Sequence, residues 1–419
     1  MKRIPMIFWI SLLCAVAAPG VRAESRWWKG NLHTHSLWSD GDDFPEMIAA
    51  WYKEQGYEFL ALTDHNVLPT GQKWVSGAVP RVAAALPGYV EKFGSEWVEV
   101  RGGEDKREVR LKTFPEFRTK LEEAGRFLML QSEEITARFS TAPLHVNALN
   151  LREVVEPPTG SSIVEVLQKC FGAVAAQRKK TGTAMVANVN HPNFGWAVTA
   201  EELMLVDGMS FFEVYNGHPS VRNSGDSRHA GTEKMWDIVL AERLSRLGKP
   251  LVYGLASDDA HNYLPGKGNS RAGRGWIVVR APGLQEEALV AAMEKGDFYA
   301  SNGVRLRNVE GSESGLKVEV DAEPGVRYRI DFIGTRKGYS SDSEPVVGED
   351  GSTLRVTRRY SPEVGAVLSS VEGERATYTF RGDEWYVRAV VRSDRFKKDP
   401  SEKGEMESAW GQPVRGPVR

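Results

Sequence analysis

Phe59-Leu60-Ala61-Leu62-Thr63-Asp64-His65-Asn66 sets four apolar residues directly before a threonine, an aspartate and a histidine. A run this short, bounded by polar residues, reads as a buried strand, and it ends where side chains able to hold a metal or a proton begin. The pattern of an apolar run and a polar end recurs at Trp28 to His35, Phe127 to Leu130, Ala184 to Val189, Phe211 to Tyr215 and Leu251 to Leu255. Between the first two strands, Met47, Ile48, Trp51 and Tyr52 fall on one helical face, with Pro45 in the first turn and Gly56 as the stop. Repeated strand-then-helix units predict an α/β fold whose parallel sheet is closed, or nearly closed, into a barrel. Val67 to about Thr113 departs from this rhythm, either as a lid over a site or as a surface excursion.

Beyond Gly303 the character changes. Val326, Tyr328, Ile330 and Phe332 alternate with Arg327, Arg329 and Asp331, and Trp385, Val387, Ala389 and Val391 alternate in the same way. Period-two alternation predicts a small antiparallel β-sandwich over residues 304–419. That leaves 24–303 for the barrel. Residues 304–419 hold no ligand cluster and are expected to be dispensable for chemistry.

The N-terminus reads as a secretory signal peptide over residues 1–23: Lys2 and Arg3, an apolar stretch from Ile7 to Ala18, then Val21-Arg22-Ala23. The alternative is an uncleaved anchor, although spanning a bilayer usually takes about 20 apolar residues. Cleavage places the protein outside the cytoplasm, secreted or periplasmic, with no membrane span. Of 54 basic residues, Lys2, Arg3 and Arg22 would be lost, leaving 51 against 56 acidic ones, a net charge of −5. Such a chain does not attract polymeric nucleic acid. Cys170 is the one cysteine outside the leader, so no internal disulfide is expected.

The chemistry-bearing residues gather at the strand ends. His33 and His35 are two apart on a strand and therefore point the same way, as Asp259 and His261 do. Asp40, Asp64-His65, Glu133-Glu134, His145 and Asn190-His191-Pro192 complete the set. Taken singly, each has a plainer reading. A lone histidine such as His145, His218 or His229 is commonly a packing or surface residue, and Glu133 and Asp258 read equally well as solvated neighbours. Together, clusters at several strand ends are how a barrel enzyme assembles its ligands.

His33-Thr34-His35, Ser39-Asp40-Gly41, Thr63-Asp64-His65-Asn66, Glu133-Glu134-Ile135-Thr136, His191-Pro192-Asn193 and Asp259-Ala260-His261 stand in the order seen in the polymerase-and-histidinol-phosphatase (PHP) family. Over about Lys29 to Ser301 the chain resembles that family of metal-dependent phosphoesterases. The resemblance implies a distorted β/α barrel and two or three divalent ions (Zn, Mn or Fe). It implies His33, His35 and Asp259 at a first ion, with Asp258 as the alternative to Asp259. Glu134, His145 and His191 would hold a second ion, Glu134 bridging, and Asp40, His65 and His261 a third. Asp40 replaces a histidine of some relatives, a harder ligand that favours manganese or iron over zinc.

Hydrolysis of a phosphoester in a small phosphorylated metabolite is the expected activity, with Glu134, Asp64 and His261 as candidates for the chemical step. Lys267, Arg271 and Arg274, in a Gly-rich loop, are candidates for holding phosphate oxygens. Asn216 and His218 are candidates for reaching the substrate. The rival readings are a metal-dependent amide or ester hydrolase on a related barrel and a non-catalytic metal- or ligand-binding module.

Overall fold

The computed structural model describes residues 25–103, 106–266 and 268–417. The signal peptide read over residues 1–23 and the phosphate contact expected from Lys267 lie outside the described residues. Among the described residues, no helix is long and apolar enough to cross a membrane.

Among the described residues one mixed sheet of 14 strands organises the fold, accompanied by seven helices and three smaller sheets. Seven strands carry the candidate residues. In spatial order they are Tyr253–Ser257, Phe211–Asn216, Val186–Val189, Ala142–Leu149, Leu128–Phe139, Phe59–Leu62 and Arg26–Asn31. Every residue of Phe59–Leu62, Val186–Val189 and Phe211–Asn216 is buried. Apolar runs covered on both faces need no alternation, which is why they stand out in the sequence. Just past the strand ends, His35 N–H donates to Ala260 O and Asp259 N–H to His33 O, each at 2.9 Å. These bonds join the chain after Arg26–Asn31 to the chain after Tyr253–Ser257, so the seven-strand run returns on itself where the site residues lie.

The sheet is not wholly parallel, as the sequence suggested it would be. Leu128–Phe139 and Ala142–Leu149 form an antiparallel hairpin, and Ala142–Leu149 also runs antiparallel to Val186–Val189. Two residues, Ser140 and Thr141, separate the strands, and Ser140 sits at φ 53°. A connection that short permits only reversal of the chain. The remaining pairings among the seven strands are parallel.

The irregular stretch after Val67 is a small unit of its own. Lys73–Ser76, Glu108–Leu111 and Val100–Arg101 form a three-stranded sheet, next to the helix Pro80–Phe93. Its apolar residues Val82, Ala85, Tyr89, Val109 and Leu111 pack with Leu37, Trp38 and Phe44. Arg81 then donates to the carbonyls of Ser39 and Asp40 at 2.9 and 3.1 Å. The unit is thus bolted to the loop that carries Asp40.

Residues after Gly303 continue the same sheet. Tyr299, Ala300 and Ser301 pair with Gly411, Trp410 and Ala409. The strand Glu384–Phe396 is buried on two sides. Val387, Ala389 and Val391 face a core shared with Leu316, Val318 and Phe332, as the alternation predicted. Tyr386, Val390 and Trp410 belong instead to the main core. The polar member of that second face, Arg388, is also buried. It donates to both carboxylate oxygens of Asp237 at 2.8 and 2.7 Å, in the helix Thr232–Ser245. The face opposite Val387, Ala389 and Val391 is thus a contact with the first part of the chain.

A chain ended after Gly303 is therefore expected to lose a sheet neighbour and a wall of its core, and to be recovered aggregated or without a cooperative thermal transition. Arg388→Met leaves the buried Asp237 without its main countercharge and is expected to cost about 3–5 kcal/mol. Urea denaturation of the full chain measures this; a loss below about 1 kcal/mol would show that the pair does not tie the two parts together.

Candidate metal centre

Histidines and carboxylates meet at the ends of the seven strands. His33 and His35 follow Arg26–Asn31, His65 follows Phe59–Leu62, and Glu134 and His145 sit across the hairpin. His191 follows Val186–Val189, and Asp259 and His261 follow Tyr253–Ser257. With Asp40 from the 36–41 loop, these nine residues make four overlapping groups able to hold an ion: His35-Asp40-His65-His261, His33-His191-Asp259, His33-His35-Glu134 and His65-Glu134-His145. The nine are the residues expected as ligands. Their partition differs from the expected one: His191 groups with His33 and Asp259, His35 joins Asp40, His65 and His261 rather than Asp259, and His65 also groups with Glu134 and His145.

The spacings suit coordination. His33 Nε2 lies 3.3 Å from Glu134 Oε1 and 3.2 Å from Asp259 Oδ1. His35 Nε2 is 3.2 Å from the same Asp259 oxygen and 3.6 Å from Glu134 Oε2. His191 Nε2 stands 3.4 Å from Glu134 Oε1. Asp40 lies 3.5 Å from both His65 Nε2 and His261 Nε2. Bonds of about 2.0–2.1 Å to a tetrahedral ion put neighbouring ligand atoms about 3.4 Å apart. In addition, among the described residues His33 Nε2, both ring nitrogens of His35 and Glu134 Oε2 are buried without a hydrogen-bond partner. Buried polar atoms are rarely left so, and four of them converging is the signature of a site that accepts cations.

Electrostatics agree. Burial opposes the charge on Glu134, but His145, His33 and His65 outweigh it and hold its pKa well below the usual carboxylate range. Asp259 is depressed likewise, against its burial, by His33, His35 and His261. Burial also works against a proton on His65, yet Glu134 and Asp40 lift its pKa to about 10. His33 is raised by Asp259, Glu213 and Glu134 despite complete burial. His35, buried beside His261, is instead pushed down to about 4. The ionised Glu134 and Asp259 thus draw in positive charge, and divalent ions would displace protons from the same imidazoles.

Orientation separates the members of two adjacent acidic pairs. Glu133 and Glu134 face opposite sides of their strand. The Glu133 carboxylate accepts from Val155 N–H at 2.6 Å, and burial raises its pKa to about 7. Asp258 turns away from the cluster: its oxygens accept the N–H groups of Gly273, Arg274 and Gly275, the Tyr52 hydroxyl and the Asn31 amide.

Three expected roles do not match the contacts. Asp64 was a candidate for the chemical step, but its carboxylate is taken up by Ser36 N–H and hydroxyl and by Ser39 N–H and hydroxyl, at 2.6–3.0 Å. It fixes the 36–41 loop and belongs to none of the four groups. Arg274 was a candidate for phosphate. Its buried guanidinium donates to Gly217 O, Asn269 O and Oδ1, and Asp399. Arg271 is half-exposed and lies 3.8 Å from Asp399. Asn216, a candidate for substrate, is buried and donates to Glu213 and Asp259 at 2.8 and 3.1 Å, so it positions other groups. His218 stands at the edge of the cluster, its ring centroid 5.5 Å from that of His261.

Glu213 was missed. One of its oxygens meets His33 Nδ1 at 2.7 Å and Ser257 Oγ at 2.5 Å, while the other accepts from His191 N–H and Asn216 Nδ2, both at 2.8 Å. A carboxylate on the far nitrogen of a ligating imidazole fixes the ring and strengthens it as a ligand. The sequence did carry a signal, since Glu213 is a charge inside the apolar run Phe211 to Tyr215 and must be paired if buried. Asn190 adds a donor to Glu134 Oε1 at 2.7 Å.

No family model matches the chain, and no curated protein matches it. Solved structures show a loose likeness. A two-domain protein from Bacteroides vulgatus containing a predicted PHP-like metal-dependent phosphoesterase is 14% identical with a TM-score of 0.39, over 93% of this chain and 95% of that one. A protein from Bifidobacterium adolescentis, named as a metal-dependent phosphoesterase, is 13% identical with a TM-score of 0.29, over 57% and 90%. An amidohydrolase from Chromobacterium violaceum, with bound sulfate and no metal, is 14% identical with a TM-score of 0.29, over 57% and 88%. At that distance the chemistry rests on the side chains of this chain.

Glu213→Gln keeps the shape but removes the charge behind His33. It is expected to weaken retention of divalent metal by roughly 10–100-fold in a competition with chelator. Unchanged retention would deny Glu213 its orienting part.

Proposed function

We propose that the chain is a metal-dependent phosphoesterase of the PHP type, a distorted β/α barrel acting outside the cytoplasm on a small phosphorylated metabolite. The observation that supports this reading is the meeting of six imidazoles and three carboxylates at the strand ends, in the order of the PHP motifs. Three divalent ions set against Asp40, Glu134, Glu213 and Asp259 leave the centre positive, which favours an anionic ester over a neutral amide, whereas two ions balance those four carboxylates. Bound there, such ions supply Lewis acidity and an activated water at neutral pH.

The residues of the chain divide that work. Glu134, reached by imidazoles on several sides, brings two ion positions close together and offsets their repulsion. His33, His35, His191 and Asp259 form the buried side of the centre. His65, His145, His261 and the half-exposed Asp40 form its open side, where a substrate enters. His261 is the residue of the proposed chemical step on that open side. Glu213 and Asn216 hold the buried ligands in register, and Asp64 holds the loop of Asp40.

The test uses the full chain loaded with zinc, manganese or iron. It is expected to retain more than one ion by elemental analysis and to hydrolyse p-nitrophenyl phosphate or its diester in preference to p-nitrophenyl acetate. Preference for the acetate would favour the amide or ester hydrolase, and metal binding without turnover would favour a binding module. Glu134→Gln is expected to lose at least one ion and to lower turnover by orders of magnitude. Glu133→Gln, facing the other side of the strand, is expected to keep its metals and most of its activity. The reverse pattern would assign the bridge to the wrong carboxylate.

A further inference from the structure

His218 is the histidine beside the cluster that joins none of the four groups. Its position is built rather than accidental. The backbone N–H of His218 donates to Asn216 Oδ1 at 2.8 Å, the amide that also donates to Asp259. Two loops meet here: Asn193 donates to Arg222 O and Ala230 O, and Trp196 stacks on His229 at 3.9 Å between centroids. The ring of Phe194 stands between His191 and His218, with centroids 5.2 and 6.3 Å away.

The hydrogen bonding of the ring fixes its tautomer. Ser220 N–H points at His218 Nδ1, 3.1 Å away, so Nδ1 accepts. A neutral imidazole whose Nδ1 accepts carries its proton on Nε2. Among the described residues Nε2 has no partner, while the neighbouring imidazole of His261 belongs to the open group with Asp40 and His65. An uncharged N–H donor beside metal ligands, held by a backbone N–H at its other end, is suited to an oxygen that is not itself bound to metal.

We propose that His218 Nε2–H donates to a non-bridging oxygen of the phosphoryl group of the substrate, the contact expected in vain from Arg274. This rests on the phosphoesterase reading above. A neutral donor supplies direction to a phosphoryl oxygen without adding a further cation to the centre, so it orients the ester.

The experiment titrates inorganic phosphate into the metal-loaded full chain by calorimetry, alongside elemental analysis and p-nitrophenyl phosphate kinetics. His218→Phe keeps a ring but no donor. It is expected to keep the wild-type metal content while losing roughly 10–100-fold in phosphate affinity and in kcat/KM. His218→Gln, whose side-chain amide reaches a similar place, is expected to recover most of that loss. Phosphate affinity in His218→Phe equal to wild type would overturn the proposal, and so would loss of metal, which would make His218 a ligand. A metal-loaded wild type that neither binds phosphate nor hydrolyses the aryl ester would remove the phosphoesterase reading, and this proposal with it.

Discussion

A carboxylate with no access to water can stay ionised only if positive charge is brought to it, and Glu134 is such a carboxylate. Desolvation of an isolated charge costs several kcal/mol even after relaxation. Around Glu134 the chain places His33, His65, His145 and His191 within 3.4 Å of its oxygens, and Asn190 as a further donor. The four histidines come from four different strands or their ends, so satisfying one carboxylate fixes the relative position of most of the seven-strand run. The hairpin Leu128–Phe139 and Ala142–Leu149 is locked in the same way. A slip of one residue would turn Glu134 away from the imidazoles and onto the side where burial raises the pKa of Glu133 to about 7.

The same demand accounts for where backbone strain is tolerated. Three of the non-glycine residues at positive φ lie beside the cluster: Asn66 at 51°, His191 at 21° and Asp259 at 50°. Such conformations persist where surrounding bonds over-determine them. Asn66 is held by a reciprocal pair, accepting from Thr136 N–H and donating to Thr136 O at 2.7 and 3.1 Å. His191 N–H is pinned by Glu213, and Asp259 by the His33 carbonyl behind it and the Asn216 amide in front. Strain and second-layer hydrogen bonds are thus parts of one device that aims ligands inward.

Strand ends were legible because fully buried strands are continuous apolar runs, and a polar residue directly after one has few places to go. That logic located His33, His35, His65, Glu134, His191, Asp259 and His261. It did not place His145 on a strand, because Ala142-Pro143-Leu144-His145-Val146-Asn147 alternates apolar and polar residues without a continuous run. Nor could it separate residues that hold the site from residues that face it. Asp64, Asn216 and Arg274 have the right types in the right places, yet their partners are Ser36 and Ser39, Glu213 and Asp259, and Asp399. Such pairings depend on contacts far apart in sequence, which periodicity does not encode.

The reach of those distant contacts explains why the two parts of the chain are not independent. Asp258 gathers three consecutive N–H groups of the 273–275 loop, and Arg274 from that loop is gripped by Asp399. Lys397, whose pKa burial lowers to about 8, donates to Tyr215 OH and Arg274 O at 2.9 and 2.5 Å. Tyr215 lies one residue before Asn216, and Arg274 donates to the carbonyl of Gly217, next to His218. The segment 397–399 therefore presses from behind on the loops that carry Asp259, His261, Asn216 and His218. Alternation along Glu384–Phe396 predicts a strand of an antiparallel sandwich with one apolar face toward its own core. Because the opposite face is spent on Asp237 and the main core, the later part of the chain acts as the rear wall of the site, and rigidity at the ligands is bought from residues more than a hundred positions away.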